Sequence, residues 1–435
     1  MRCSRLLRAV CGTGLLAAAL TAVPTTARAQ SRQPACAPDN AGLILPEGFC
    51  ALVVADDVGP ARHIAVAPNG DVFVALDRSR RGGPGQADFA ILRDTDGDGT
   101  ADIVRRFGAA GGTGIRLHGG YVYFGANNAI LRYPWPEGAL DPAGPPDTLV
   151  SGLPDCCGHA AKGFAIGDGF VYVNVGSASN ACQAGRGRQP GIEGLDPCPQ
   201  LETRAGVWRF PLEPTGQRQP DGVHYTTGLR NTFALDIHPR TGILYGVQHG
   251  RDQLAQLWPD LFDERQSAEK PAEEMVRITE GANFGWPYCF YEPELDRKVL
   301  APEYGGDGTI QGRCEDMNGP AMTFPAHWAP NALLFYTGDQ FPAAYRGGAF
   351  IAFHGSWNRA PMPQAGYNVV FVPFADAEPA GTYRVFADGF AGESVSPRGA
   401  AHRPAGLAQG PDGSLYVSDD RGGRIYRILY QGDQD

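Results

Sequence analysis

After Val23 the 435-residue chain contains no run of about 18 consecutive apolar residues, so no membrane span is expected. It has no excess of basic charge either: 37 Lys and Arg stand against 47 Asp and Glu, a net charge of −10. Nucleic acid is thereby excluded as a partner, because phosphate contacts need a basic face. No Cys-x-x-Cys-His occurs, which removes covalent haem, and the cysteines lack the paired short spacing of a zinc site. Glycine does not recur at every third position, so the chain is not collagenous. Long helices are disfavoured by 59 Gly and 36 Pro, which cost about 1 and about 3 kcal/mol in a helix interior. With 43% hydrophobic residues the chain still buries a large core. What remains is a turn-rich, mostly β protein.

The N-terminus reads as a secretory signal peptide. Arg2, Arg5 and Arg8 precede an apolar stretch from Ala9 to Val23, and Ala27-Arg28-Ala29 is a small-x-small cleavage site. Cleavage after Ala29 leaves residues 30–435 as one mature domain, periplasmic or secreted. It also removes Cys3 and Cys11, leaving eight cysteines in an oxidising compartment. Proximity suggests Cys36–Cys50, Cys182–Cys198 and Cys289–Cys314. The adjacent Cys156 and Cys157 either bridge each other or pair elsewhere.

A phrase recurs along the chain: an apolar strand, a Gly-centred turn, then a strand of aromatic and β-branched residues. It runs from Ile64 to Val74, Ile115 to Phe124, Gly163 to Val173, Ala234 to Tyr245 and Gly406 to Val417. A degenerate copy is Phe350 to Phe353 followed by Tyr367 to Pro373. Asn-Gly and Asp-Gly pairs supply the positive φ of tight hairpins. Six such units predict an all-β, six-bladed β-propeller with long loops on its functional face; a pair of β-sandwiches is the competing architecture. Residues 252–281 break the strand rhythm, and Leu254, Leu257, Leu261 and Phe262, then Glu269 to Ile278, predict a helical insertion. The strand from Gly422 to Tyr430 is expected to close the ring with the mature N-terminus.

Three constellations carry chemistry. Asp94-Thr-Asp-Gly-Asp-Gly-Thr-Ala-Asp102 has carboxylates at alternate positions and Gly99 at the sixth, so Asp94, Asp96 and Asp98 are candidate ligands of a structural calcium. Position twelve is Arg105, so the loop is not a complete EF-hand, and an acidic solvated turn fits as well. His159, in Cys156-Cys-Gly-His-Ala-Ala-Lys162, lies on a blade-connecting loop at a strand entry, where propellers place catalytic groups. His118 and His238 sit inside strand phrases and read as structural. Finally, Arg230, Arg359 and Arg403 occupy corresponding points of different repeats. They are expected to converge on one axial cavity, where an anionic ligand relieves their repulsion.

The phrases Gly228-Leu-Arg-Asn231, Gln248-His-Gly-Arg-Asp252, Asn283-Phe-Gly-Trp-Pro287, Phe353-His-Gly-Ser-Trp-Asn358 and Arg403-Pro-Ala-Gly406 give the chain a wider likeness. From about Leu45 to Tyr430 it resembles the soluble pyrroloquinoline-quinone-dependent sugar dehydrogenases, the glucose/sorbosone dehydrogenase family, in its L-sorbosone dehydrogenase-like branch. The resemblance implies a propeller holding pyrroloquinoline quinone over an axial calcium ion. It implies His159 as the general base and Arg230 as a cation against the quinone oxygens, with Asn231 beside it. Gly250 and Arg251 match the family's calcium-ligating backbone carbonyls. Lys162, Trp357, Asn358, Arg359 and Arg403 match its cofactor contacts. The soluble glucose enzymes have an Asp directly before the catalytic His; here that position is Gly158.

The expected function is oxidation of an aldose or related sugar by hydride transfer to the quinone, with electrons passed to an external acceptor. A non-catalytic carbohydrate-binding propeller and a calcium-dependent lactonase or hydrolase are the competing readings.

Overall fold

The computed structural model describes residues 34–77, 87–185 and 187–432; the expected signal peptide and cleavage site lie outside the described residues. Six four-stranded antiparallel sheets follow one another along the chain. The first blade runs Ala61–Val66, Val72–Leu76, Phe89–Arg93 and Ile103–Phe107, and the second Gly112–His118, Tyr121–Ala126, Ala129–Pro134 and Asp147–Ser151. The short strand Gln217–Arg218 adds in parallel to the outer edge of the second blade. The third comprises Phe164–Gly167, Phe170–Val175, Gly206–Pro211 and Val223–Thr227; the fourth, Ala234–Ile237, Leu244–Gln248, Glu273–Ile278 and Met322–Phe324. The fifth comprises Pro330–Phe335, Ala349–Phe353, Asn368–Val372 and Arg384–Ala387. The sixth takes Pro404–Gln409, Leu415–Asp419 and Ile425–Tyr430 from the end of the chain and Phe49–Ala55 from its beginning. Phe49 pairs with Tyr430 and Val53 with Tyr426, so the ring closes through its two termini as expected.

Alternation explains why the inner strands are apolar on both faces. Along Val72–Leu76, Val72, Val74 and Leu76 pack toward the sixth blade with Tyr416 and Ile425. Phe73 and Ala75 point the other way, into the second blade with Ile115 and Phe124. The side-chain period of two thus feeds two seams from one strand. An apolar cluster fills each of the six seams between neighbouring blades. Near the axis the inner strands approach closely: a Cβ on Gly163 would lie 2.0 Å from the Phe233 carbonyl oxygen, so only glycine fits.

Two expectations change. The degenerate fifth repeat is out of frame, because Ala349–Phe353 and Asn368–Val372 are the second and third strands of their blade. The inner strand is Pro330–Phe335, and residues 336–348, with the short 3-10 turn Ala343–Tyr345, replace the tight hairpin. The helical insertion is also shorter than the pattern suggested. Only Leu254–Leu257 and Glu264–Glu269 are α-helical, and Glu273–Ile278 is a central strand. Pro271 ends the helical stretch. Within that strand Glu274 is buried against Lys298 at 2.8 Å.

The disulfides Cys36–Cys50, Cys182–Cys198 and Cys289–Cys314 form as proximity suggested, while Cys156 and Cys157 are exposed thiols. Among the described residues no helix is long and apolar enough to cross a membrane.

Candidate active site

A cavity of about 640 Å³ opens where the loops at the ends of the inner strands meet. His159 enters it before Phe164–Gly167, Arg230 and Asn231 before Ala234–Ile237, and Arg403 before Pro404–Gln409. Gly250 and Asp252 follow Leu244–Gln248, and His354, Trp357 and Asn358 follow Ala349–Phe353. Corresponding loops of different blades therefore converge, as the repeats required.

The loop of His159 is tied down on both sides. Lys162 Nζ donates to the carbonyls of Pro154 at 2.8 Å and Ala160 at 2.5 Å, and Gly158 N donates to Ala178 O at 3.0 Å. Gly176 backs the imidazole, since a Cβ there would lie 2.6 Å from His159 Cβ. His159 Nδ1 is 2.9 Å from the Ser177 carbonyl oxygen and 3.0 Å from Ser177 Oγ. A carbonyl only accepts, so Nδ1 carries the hydrogen and Nε2 keeps its lone pair. Burial first, then the charge of Arg230, holds the imidazole well below its usual pKa. The ring is neutral at physiological pH.

Arg230 is buried, and its charge is met from within. Its Nη2 donates to Asp252 Oδ2 at 2.9 Å and to Asn180 Oδ1 at 3.1 Å, and its Nε to Asn180 O at 3.3 Å. Asp252 Oδ2 also accepts from Arg188 at 2.9 Å, and its Oδ1 accepts Asn358 Nδ2 at 2.9 Å. Burial alone would raise the Asp252 pKa, but Arg230, His327 and Arg188 outweigh it and hold it below the usual carboxylate range. Opposite, Asp420 accepts Arg62 at 2.5 Å and lies 2.7 Å from His354 Nε2, while Arg403 donates to the carbonyls of His354 and Gly355. Gly250 N donates to Glu273 Oε2 at 2.6 Å, and Ala329 N to its Oε1 at 3.1 Å. Burial nevertheless pushes the Glu273 carboxyl up to about 8.

Not every expected residue reaches the cavity. Lys162 is fully buried beneath the His159 loop, its ammonium turned to backbone carbonyls. Arg359 spends its guanidinium on the carbonyls of Ala268, Ala326 and Pro363, so the expected convergence holds for Arg230 and Arg403 alone. The Arg251 side chain is buried in an ion pair with Glu303. In the acidic loop, the oxygens that cluster within 4.8 Å belong to Asp94, Asp96 and Asp102, whereas Asp98 accepts Thr100 N at 2.7 Å. Asp252, Glu273, Arg62 and Arg188 were not singled out in the sequence. The signal for Asp252 was present in Gln248-His-Gly-Arg-Asp252, and that for Arg62 in its position just before the first repeat, like Arg403 before the last.

The chain is similar to an uncharacterized protein of Borreliella burgdorferi, 31% identical over 206 residues that make up 47% of this chain and 48% of that one. It is similar also to a pyrroloquinoline quinone-dependent pyranose dehydrogenase of Coprinopsis cinerea, 27% identical over 232 residues, 46% of this chain and 30% of that protein. The match thus spans about half or less of these relatives' lengths. In fold, it resembles the calcium structure of the family AA12 carbohydrate-active enzyme of Trichoderma reesei, with a TM-score of 0.72, 19% identity, and coverage of 92% of this chain and 99% of the other. Residues 43–431 match the TrAA12-like family, and the chain belongs to it.

Proposed function

We propose that the protein is a quinoprotein dehydrogenase that oxidises an aldose or related sugar or polyol, using pyrroloquinoline quinone and calcium. The observation that carries this reading is the state of His159. Its one ring hydrogen is committed to the Ser177 carbonyl, and its environment keeps it neutral at a cavity wall. Such an imidazole accepts an alcohol proton at neutral pH. The Ser177 carbonyl does the orienting that a neighbouring carboxylate would do, which offsets the glycine at position 158. The pyranose dehydrogenase among the relatives supports the cofactor.

The lining suits a flat tricarboxylate. Arg62, Arg188, Arg230 and Arg403 border one cavity, and guanidinium forks match carboxylates. Arg62 Nε, a donor, is buried there without a hydrogen-bond partner, a cost of about 1–3 kcal/mol that an anionic ligand's oxygen would remove. When bound, the quinone supplies the two-electron acceptor for the hydride leaving the sugar carbon. Arg230 serves as a fixed cation for developing negative charge, with Asn231 beside it. Arg62 and Arg403 serve the carboxylates, and Trp357, 53% exposed, offers a stacking face. The backbone carbonyls of Gly250 and Arg251 suit calcium, a hard cation that takes oxygen ligands. Glu273, bonded to Gly250 N, fixes that peptide. His159 Nε2 takes the hydroxyl proton.

A hydrolytic reading is disfavoured because the cavity carboxylates are already engaged at both oxygens, Asp252 by Arg230, Arg188 and Asn358, and Glu273 by two amides. Residues 30–435 act as one exported domain in this reading, and the three disulfides accord with an oxidising compartment. An external acceptor reoxidises the cofactor.

Reconstitution tests the proposal. Purified protein given the quinone and calcium chloride should bind the quinone's chromophore and reduce an artificial dye when an aldose is added. Quinone binding without turnover on any aldose or polyol would favour a carbohydrate-binding propeller instead.

A further inference from the structure

Just ahead of Gly158 and His159 stand two thiols that the proposed reaction does not use. Cys156 and Cys157 are both exposed, and the Cys157 thiol meets Cys156 Sγ at 2.7 Å. That separation is only about 0.7 Å beyond a sulfur–sulfur bond. Neighbouring side chains of an extended chain point to opposite sides. Here Cys157 has a φ of 75°, in the left-handed region that a residue with a Cβ enters at a cost, and the turn sets the two sulfurs side by side.

Arg204 completes the cluster. It is 9% exposed, and it donates Nη2 to Cys156 Sγ at 3.2 Å and Nη1 to the Cys156 carbonyl at 3.3 Å. The hydrogen bond from Cys157, and then Arg204, hold the Cys156 thiol below its usual pKa, while the same bond raises that of Cys157. An acidic thiol beside a guanidinium, touching a second and less acidic thiol, has the chemistry of an attacking cysteine and its resolving partner.

We propose that Cys156 and Cys157 form a reversible thiol–disulfide site whose closed state is a bridge between the two neighbours, fixing the segment in front of His159. In the first step the Cys156 thiolate attacks one sulfur of a small disulfide such as oxidised glutathione. A mixed disulfide forms and one glutathione thiolate leaves. Cys157 then loses its proton and its sulfur attacks that of Cys156, forming the protein bridge and releasing the second glutathione thiolate. Two protein thiols are oxidised, one glutathione disulfide is reduced, and the two protein protons pass to the departing thiolates.

The site differs in kind from the other three pairs. Their Cα atoms are 5.9, 6.2 and 5.8 Å apart. Neighbouring Cα atoms are only about 3.8 Å apart, below the usual range for a bridge of about 4.4–6.8 Å. A bridge there is strained, exposed and readily reduced. The loop around it is already held at Pro154, Gly158 and Ala160, so the bridge acts on the short stretch that remains.

The test needs neither quinone nor sugar, so its failure leaves the dehydrogenase reading untouched. Full-length protein is equilibrated at increasing ratios of oxidised to reduced glutathione, alkylated without denaturant, and digested for mass spectrometry. Cys156 and Cys157 should lose alkylation together, in a peptide lighter by two hydrogens. Cys157→Ser should stop at a glutathione adduct on Cys156. Amide hydrogen exchange at Gly158 and His159 should slow in the bridged form. The proposal is overturned if both cysteines alkylate at every ratio, if glutathione persists on the wild-type pair, or if bridging leaves exchange in this segment unchanged.

Discussion

Asp252 Oδ2 accepts Arg230 Nη2 at 2.9 Å while its Oδ1 accepts Asn358 Nδ2 at 2.9 Å, so one carboxylate joins the fourth-blade and fifth-blade loops across the cavity. The arginine that the sequence offered for an anionic ligand therefore has an internal counter-ion. That pairing lets a buried guanidinium persist before any ligand arrives, and it fixes the direction of the charge.

Asp252→Asn should destabilise the protein by about 3 kcal/mol, because removing one partner strands a buried charge. Thermal melts at neutral pH measure this. The Asp252 pKa is depressed in the folded state, so its stabilisation is present above the unfolded value of about 3.9 and is lost as pH falls below it. Wild type should lose stability in that acidic window, and the variant should lose less.

Lys162 gives a pH dependence at the other end. Burial lowers its pKa to about 7, against an unfolded value of about 10.4. Between those values the unfolded chain binds more protons, so this group makes stability rise with pH. Denaturant unfolding from pH 6 to pH 10 should show the rise in wild type, and Lys162→Met should flatten it.

The Cys182–Cys198 bridge closes a loop of 16 residues in the third blade beside the cavity. Replacing both cysteines with serine should cost about 3 kcal/mol, read as a lower denaturant midpoint in the oxidised protein. No loss relative to wild type would mean that this bridge constrains little in the unfolded chain.

Much of the fold was legible because five of the six blades begin with a hairpin whose Gly-containing turn marks the register. The fifth was misframed for a physical reason: between Phe335 and Ala349 the chain makes a longer excursion with no tight-turn signal. Repeat position also located the loops that meet at the axis. It did not give side-chain direction, which is why Arg359, at the right point of its repeat, turns instead to the carbonyls of Ala268 and Ala326. Asp252 was hidden for a related reason, since its partners Arg230 and Asn358 are distant in sequence and only the closed ring brings them together.

Chelation should separate metal from protein effects. With calcium held by the Gly250 and Arg251 carbonyls, a strong chelator should release quinone from reconstituted protein and abolish dye reduction. Calcium should restore both, and magnesium should restore them poorly because it demands a tighter octahedral shell. Quinone binding indifferent to the chelator would contradict this placement of the ion.

The most direct test is turnover by His159→Gln, saturated with quinone and calcium, beside wild type. The variant should retain quinone yet lose roughly 10²–10⁴ in kcat, the contribution of a positioned base. Because burial and Arg230 depress the His159 pKa, wild-type kcat/KM should stay level as pH falls through about 6.5, where an ordinary imidazole would be half protonated and losing its role as a base. Near wild-type turnover by a quinone-loaded His159→Gln would contradict the assignment and move the base to His354, which already has Asp420 at 2.7 Å to orient it.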